Sequence, residues 1–75
     1  MINNLEAYKV FYYVAKCGSV TKAAGELSIS QPAVSQAVKQ LENTLDVSLF
    51  HRAAKGVRLT GEGELLYSYV AKGYE

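Results

Sequence analysis

The sequence predicts a mainly α-helical domain that carries one two-stranded β-ribbon. Two observations point to it. Apolar residues recur at helical spacing in four stretches, three of them opened by a serine or threonine able to cap a helix. The pattern changes to alternation only across residues 48–60, around Gly56. With 75 residues there is room for one core and no second. A hydrophobic share of 49% with 20% charged residues excludes wholesale disorder. So short a chain buries only about 60% of its unfolded surface, so a partner should stabilise it.

The first helix is expected over residues 3–17, capped by Asn3 or Asn4 and ended by Gly18 in a left-handed conformation. At about 100° per residue, Glu6, Lys9, Tyr13 and Lys16 form its wet stripe. Leu5, Tyr8, Phe11, Tyr12 and Ala15 then spread over the opposite side. Ser19 caps a short second helix, residues 20–27, whose Ala23-Ala24-Gly25 centre lets another helix cross closely. Gly25 costs about 1 kcal/mol relative to alanine inside a helix, which suggests a steric reason for it. Ser28-Ile29-Ser30 forms the turn, with Ile29 as its apolar plug.

Ser30 caps the third helix, about residues 31–44, and Pro32 falls in its first turn, where a missing N–H costs nothing. Val34, Val38, Leu41 and Leu45 form its buried stripe. The opposite face holds Pro32, Gln36, Lys39 and Asn43, with Ser35 at its shoulder, and is free of acid until Glu42. Residues 48–52 and 57–60 are expected as strands joined by Ala53-Ala54-Lys55-Gly56, with Gly56 supplying a positive φ. Alternation sets Val57 and Leu59 on one side and Arg58 on the other. Thr60 caps a fourth helix with Glu62 and Glu64 in its first turn, where the helix dipole favours them. Leu65, Leu66, Tyr69 and Val70 are its apolar positions, and Gly73 could end it.

Charge and chemistry narrow the function. The single cysteine, Cys17, closes no internal disulfide, and its simplest role is that of a small buried hydrophobe. No apolar run approaches the ~20 residues of a membrane span, and the start of the chain lacks a signal-peptide pattern, so a cytoplasmic protein is expected. One histidine and one cysteine without acidic partners give no catalytic or metal constellation, and no phosphate-cradling glycine loop occurs. No enzyme activity and no cofactor are expected, and His51 most simply packs at the strand edge. Net charge is only +1, but acids are missing from residues 27–41 and 47–61. The second window carries His51, Arg52, Lys55 and Arg58, a locally positive surface suited to phosphate.

A short helix, a three-residue turn, a helix with a polar outer face and a basic hairpin make an arrangement suited to duplex DNA. A major groove ~12 Å wide admits one α-helix, whose N-terminal outer residues reach the base edges. Gln36 can pair with adenine, Ser35 can bond to bases or phosphates, and Pro32 or Ala33 can touch a thymine methyl. Gln31 can meet a phosphate at the helix N-terminus, and Lys39, farther along, suits phosphate too. Arg52, Lys55 and Arg58 would grip the flanking backbone, with Lys55 able to enter a minor groove. The alternative is a protein-interaction or dimerisation module without DNA binding, which requires an apolar outer face on the third helix.

The ordered set Gly18-Ser19-Val20-Thr21-Lys22-Ala23-Ala24, Leu27-Ser28-Ile29-Ser30-Gln31-Pro32-Ala33-Val34-Ser35, Leu41-Glu42, Leu45-Asp46-Val47-Ser48-Leu49-Phe50-His51-Arg52, Val57-Arg58-Leu59-Thr60 and Gly63 resembles the N-terminal DNA-binding domain of LysR-type transcriptional regulators. The resemblance covers nearly the whole chain. It implies a winged helix-turn-helix over residues 1–60, with a three-helix core and the hairpin 49–60 as a two-stranded wing. Residues 61–75 would begin a C-terminal linker helix, through which Leu65, Leu66, Tyr69 and Val70 would pair with a second copy into a homodimer on a partly palindromic operator. Carried over by position, Gln31, Pro32, Ser35 and Gln36 face the groove, Lys55 is the wing-tip cation, and Thr21 contacts phosphate. Family members usually carry a larger C-terminal domain for a small-molecule inducer, so the 75 residues correspond to the DNA-binding fragment alone. Two departures from the family stand out: Gln36, where Arg or Lys is common, and Ala53-Ala54, where polar or small flexible residues are frequent.

Overall fold

The computed structural model describes residues 4–74, so the expected cap Asn3 lies outside the described residues. Helix α1 (Asn4–Cys17) lies at the centre of the fold and touches all three other helices. It closes as its sequence demands: Gly18 takes φ +66° and donates its N–H to the Val14 carbonyl at 2.8 Å. Its buried face is Ala7, Val10, Phe11 and Val14, displaced from the expected arc. Leu5 is 80% exposed, and Tyr13 leaves the wet stripe to pack half-buried against the core, edge-on to Tyr12 at 5.7 Å. The cause is tertiary. Val10 and Val14 meet the second and third helices, while Ala7 and Phe11 meet the fourth helix and the start of the hairpin.

Helix α2 (Val20–Leu27) starts at Ser19, whose Oγ accepts the Lys22 N–H at 3.2 Å. Ala23 and Ala24 are buried against α1 and the third helix, as a close crossing requires. Gly25 has no steric role, because nothing lies within 4 Å of where its Cβ would be. The turn closes through Ser28 in the left-handed region (φ 57°) and through the Ile29 N–H, which donates to the Ala24 carbonyl at 3.1 Å. Ile29 itself is exposed and plugs nothing. Backbone hydrogen bonds hold this turn instead.

Helix α3 (Gln31–Leu45) begins at Ser30, whose Oγ accepts the Ala33 N–H at 3.2 Å, and ends at left-handed Asp46. Its buried residues are Val34, Ala37 and Leu41, with Val38 half-buried. Ala37 joins the stripe because the small residues of α2 approach it, and Leu45 drops out because the last turn projects past the core.

Strands β1 (Phe50–Ala53) and β2 (Gly56–Leu59) form an antiparallel ribbon with Phe50 opposite Leu59, His51 opposite Arg58 and Arg52 opposite Val57. The strands are shorter at the base than alternation suggested, although Thr60 still bonds across it, its N–H donating to the Leu49 carbonyl at 3.0 Å. The Thr60 hydroxyl donates to the Ser48 carbonyl at 2.6 Å, and the Leu49 N–H goes to Glu42. Ala53 and Gly56 join the strands, leaving Ala54 and Lys55 as the turn. Gly56 has φ +114°, and a Cβ there would overlap the Gly18 carbonyl oxygen; the next residue, Val57, donates to that carbonyl at 3.1 Å. Phe50 seats the ribbon on α1, its ring centroid 5.4 Å from that of Phe11.

Helix α4 (Gly61–Tyr74) is capped by Thr60, whose Oγ1 accepts the Gly63 N–H at 3.0 Å. It runs through Gly73, which therefore does not end it. Leu66, Tyr67 and Val70 pack on the Phe11–Leu41–Leu49 cluster, and Tyr67 stacks on Tyr12 at 5.6 Å and 10°. Gly63 lets the helix lie directly on the chain entering β1: a Cβ there would overlap the Leu49 carbonyl oxygen.

Candidate nucleic-acid interface

The two helix starts and the hairpin open on one side of the molecule. Thr21 in the first turn of α2, Gln31 and Ser35 on α3 and Arg52 on β1 line a single cleft of about 380 Å³. All four side chains are exposed. Each helix N-terminus carries roughly half a positive charge from its aligned peptide dipoles. Two such ends and a guanidinium therefore face one space, a setting that favours an anion.

Beside this cleft, Gln36, Lys39, Gln40 and Asn43 line the outer groove of α3. Pro32 is exposed on the same helix. The four side chains of the groove are all polar and able to hydrogen-bond. This strip is not the apolar patch that the protein-docking alternative requires. Gln40 was missed by the sequence reading, although its position four residues after Gln36 places it on the same face.

The ribbon divides its cations. Side chains alternate along a strand and opposite residues share a face. Arg52, opposite Val57, faces the cleft, whereas Arg58, opposite His51, lies on the other face. Arg58 therefore does not join Arg52 in one grip. His51 is exposed rather than packed, its Nδ1–H donating to the Arg52 carbonyl at 3.3 Å. Lys55 stands exposed at the tip, as expected from the turn. Cys17 is half-buried and packs against the core.

The four residues expected to pair helices do not share a face. Leu65 and Tyr69, one turn apart, are 62% and 67% exposed. Leu66 and Val70 instead rest on the domain's own core.

Residues 5–64 match the family profile described as bacterial regulatory helix-turn-helix protein, lysR family. The chain belongs to that family. Among relatives of the LysR-type domain is the HTH-type transcriptional regulator PerR of Escherichia coli, 39% identical over 70 residues, covering 93% of this chain and 24% of the relative. Another is the RuBisCO operon transcriptional regulator of Allochromatium vinosum, 47% identical over 66 residues, covering 88% of this chain and 22% of the relative. The domain thus spans about a quarter of these relatives' length. Among solved structures, the DNA-binding domain of BenM in complex with catB site 1 DNA superposes with a TM-score of 0.89 at 35% identity, over 96% of this chain and 81% of that one. The corresponding CbnR–DNA complex gives 0.88 at 29% identity, over 96% and 83%. The architecture is therefore the winged helix-turn-helix of LysR DNA-binding domains, with α2 and α3 as the motif and the ribbon as the wing. No described helix is long and apolar enough to cross a membrane.

Proposed function

We propose that this LysR-type domain binds duplex DNA sequence-specifically as the reading module of a bacterial transcription regulator acting in the cytoplasm. The observation that carries the reading is that the polar α3 strip runs on from the Thr21–Gln31–Ser35–Arg52 cleft, Gln36 of the strip following Ser35 of the cleft in the chain. Helix α3 enters the major groove, where Gln36 and Ser35 address base edges and Pro32 a thymine methyl. Thr21, Gln31, Lys39 and Arg52 hold phosphates, and Lys55 reaches along the flanking minor groove. Relatives whose structures contain DNA support this assignment.

Residues 1–60 form the DNA-binding unit in this reading, and residues 61–75 the start of a helix that pairs with a second copy. The partner seam runs along Leu65 and Tyr69, with Leu66 and Val70 supporting the helix from beneath. A homodimer of this kind fits a partly palindromic operator. Response to a small-molecule inducer belongs to the larger remainder of such a regulator, and no catalysis or cofactor is assigned to the domain.

Binding measured by fluorescence anisotropy on a duplex series tests the division of labour. Gln36→Ala should cost about 1–3 kcal/mol and relax preference at one base pair. Lys55→Ala should weaken all sequences evenly and lower the salt slope by about one. Indistinguishable behaviour of the two variants would contradict a reading helix steadied by a separate wing.

A further inference from the structure

Glu42 is the sole acid on α3, and its place there is electrostatically unfavourable twice over. It lies near the helix C-terminus, where the dipole is negative, and beside a surface read as facing phosphates. Its hydrogen bonds account for it. The Glu42 main-chain oxygen accepts the N–H groups of Asp46 and, at 3.2 Å, Val47. Its carboxylate Oε2 accepts the N–H groups of Leu49 at 2.7 Å and Phe50 at 3.4 Å. One residue thus takes four backbone donors, from Asp46, Val47 and Leu49 of the connection and Phe50 at the start of β1.

That connection sets how far the wing stands from the reading helix. Phe50 begins β1, and Arg52, two residues on, shares its strand face and lines the cleft with Ser35. Side-chain packing fixes this spacing only in part: Phe50 packs on the core, but a groove of about 190 Å³ lies between α3 and the ribbon, bordered by Val38, Glu42, Phe50 and Val57. The carboxylate bonds span the joint where packing is incomplete.

We propose that Glu42 is a positioning residue for DNA reading: its carboxylate fixes the wing in register with α3, so that Arg52 and Gln36 engage one duplex together. The proposal rests on the DNA-binding reading above. It makes a prediction of unusual sign. Removing a negative charge beside phosphates should tighten binding if charge alone mattered, whereas loss of the splint should weaken it.

The test uses the 75-residue chain and two variants, Glu42→Ala and Glu42→Gln, at a temperature where circular dichroism shows all three folded. The probes are a duplex selected by the unaltered chain from a random pool and a scrambled duplex of equal length. Glu42→Ala should bind the selected duplex about tenfold or more weaker and discriminate less against the scrambled one. Glu42→Gln, which keeps one acceptor oxygen, should fall between. Hydrogen exchange at the Leu49 and Phe50 amides, measured without DNA, should accelerate in Glu42→Ala. Unchanged or tighter binding by Glu42→Ala, or unchanged exchange at both amides, overturns the proposal while leaving the DNA reading intact. Failure of the unaltered chain to bind any duplex overturns the DNA reading, and this proposal with it.

Discussion

Two glycines with opposite surroundings show how single residues shape this domain. Gly63 carries α4 across the Leu49 carbonyl, and a side chain there also meets Leu59 Cδ2 at 2.9 Å. A backbone carbonyl cannot swing aside as a flexible side chain would, so Gly63→Ala should destabilise by about 1–3 kcal/mol or more. Gly25 faces open space, and Gly25→Ala should add about 0.5–1 kcal/mol through the helix propensity of alanine. Urea denaturation checks both signs, and equal effects would contradict the packing described here. The caps Ser19, Ser30 and Thr60 were legible in the sequence because each answers a donor three residues on. Glu42 was not legible as a hub, because its carboxylate serves donors seven and eight residues away.

Helix spans follow from local chemistry, but the face a helix buries depends on where its neighbours lie. Helix α1 illustrates the difference. Its limits agree with the Gly18 stop, yet its buried arc centres on Val10 and Val14 because two helices converge there. Helix α4 divides in the same way, with Leu65 and Tyr69 outward and Leu66 and Val70 inward. Substituting Leu65 and Tyr69 together by alanine should therefore shift sedimentation toward monomer with little change in the urea midpoint of the monomeric domain. Leu66→Ala should instead lower that midpoint, for a stability loss of about 1–3 kcal/mol at a partly buried leucine. A dimer that survives the double substitution would remove Leu65 and Tyr69 from the seam. The hairpin is a third case: its turn glycine was readable, but at its base the Leu49 N–H turns to Glu42, a bond that alternation cannot reveal.

At the scale of the whole molecule, a net charge of +1 understates the surface, because Arg52 and two helix starts share one cleft. The candidate site was largely legible, since the outer face of α3 follows from its period and Lys55 from the turn. The separation of Arg52 from Arg58 required the strand register. Likewise, the cleft joining Thr21 to Arg52 required the bond from the Val57 N–H to the Gly18 carbonyl, which holds the turn end of the ribbon beside the start of α2. A nuclear magnetic resonance titration of the labelled domain with duplex DNA measures the central claim most directly. The expected result is a contiguous set of shifted amides and side chains spanning Thr21, Gln31, Ser35, Gln36, Lys39, Arg52 and Lys55. Shifts confined to α1 and α4, with Ser35, Gln36 and Lys55 unmoved at saturation, would contradict it.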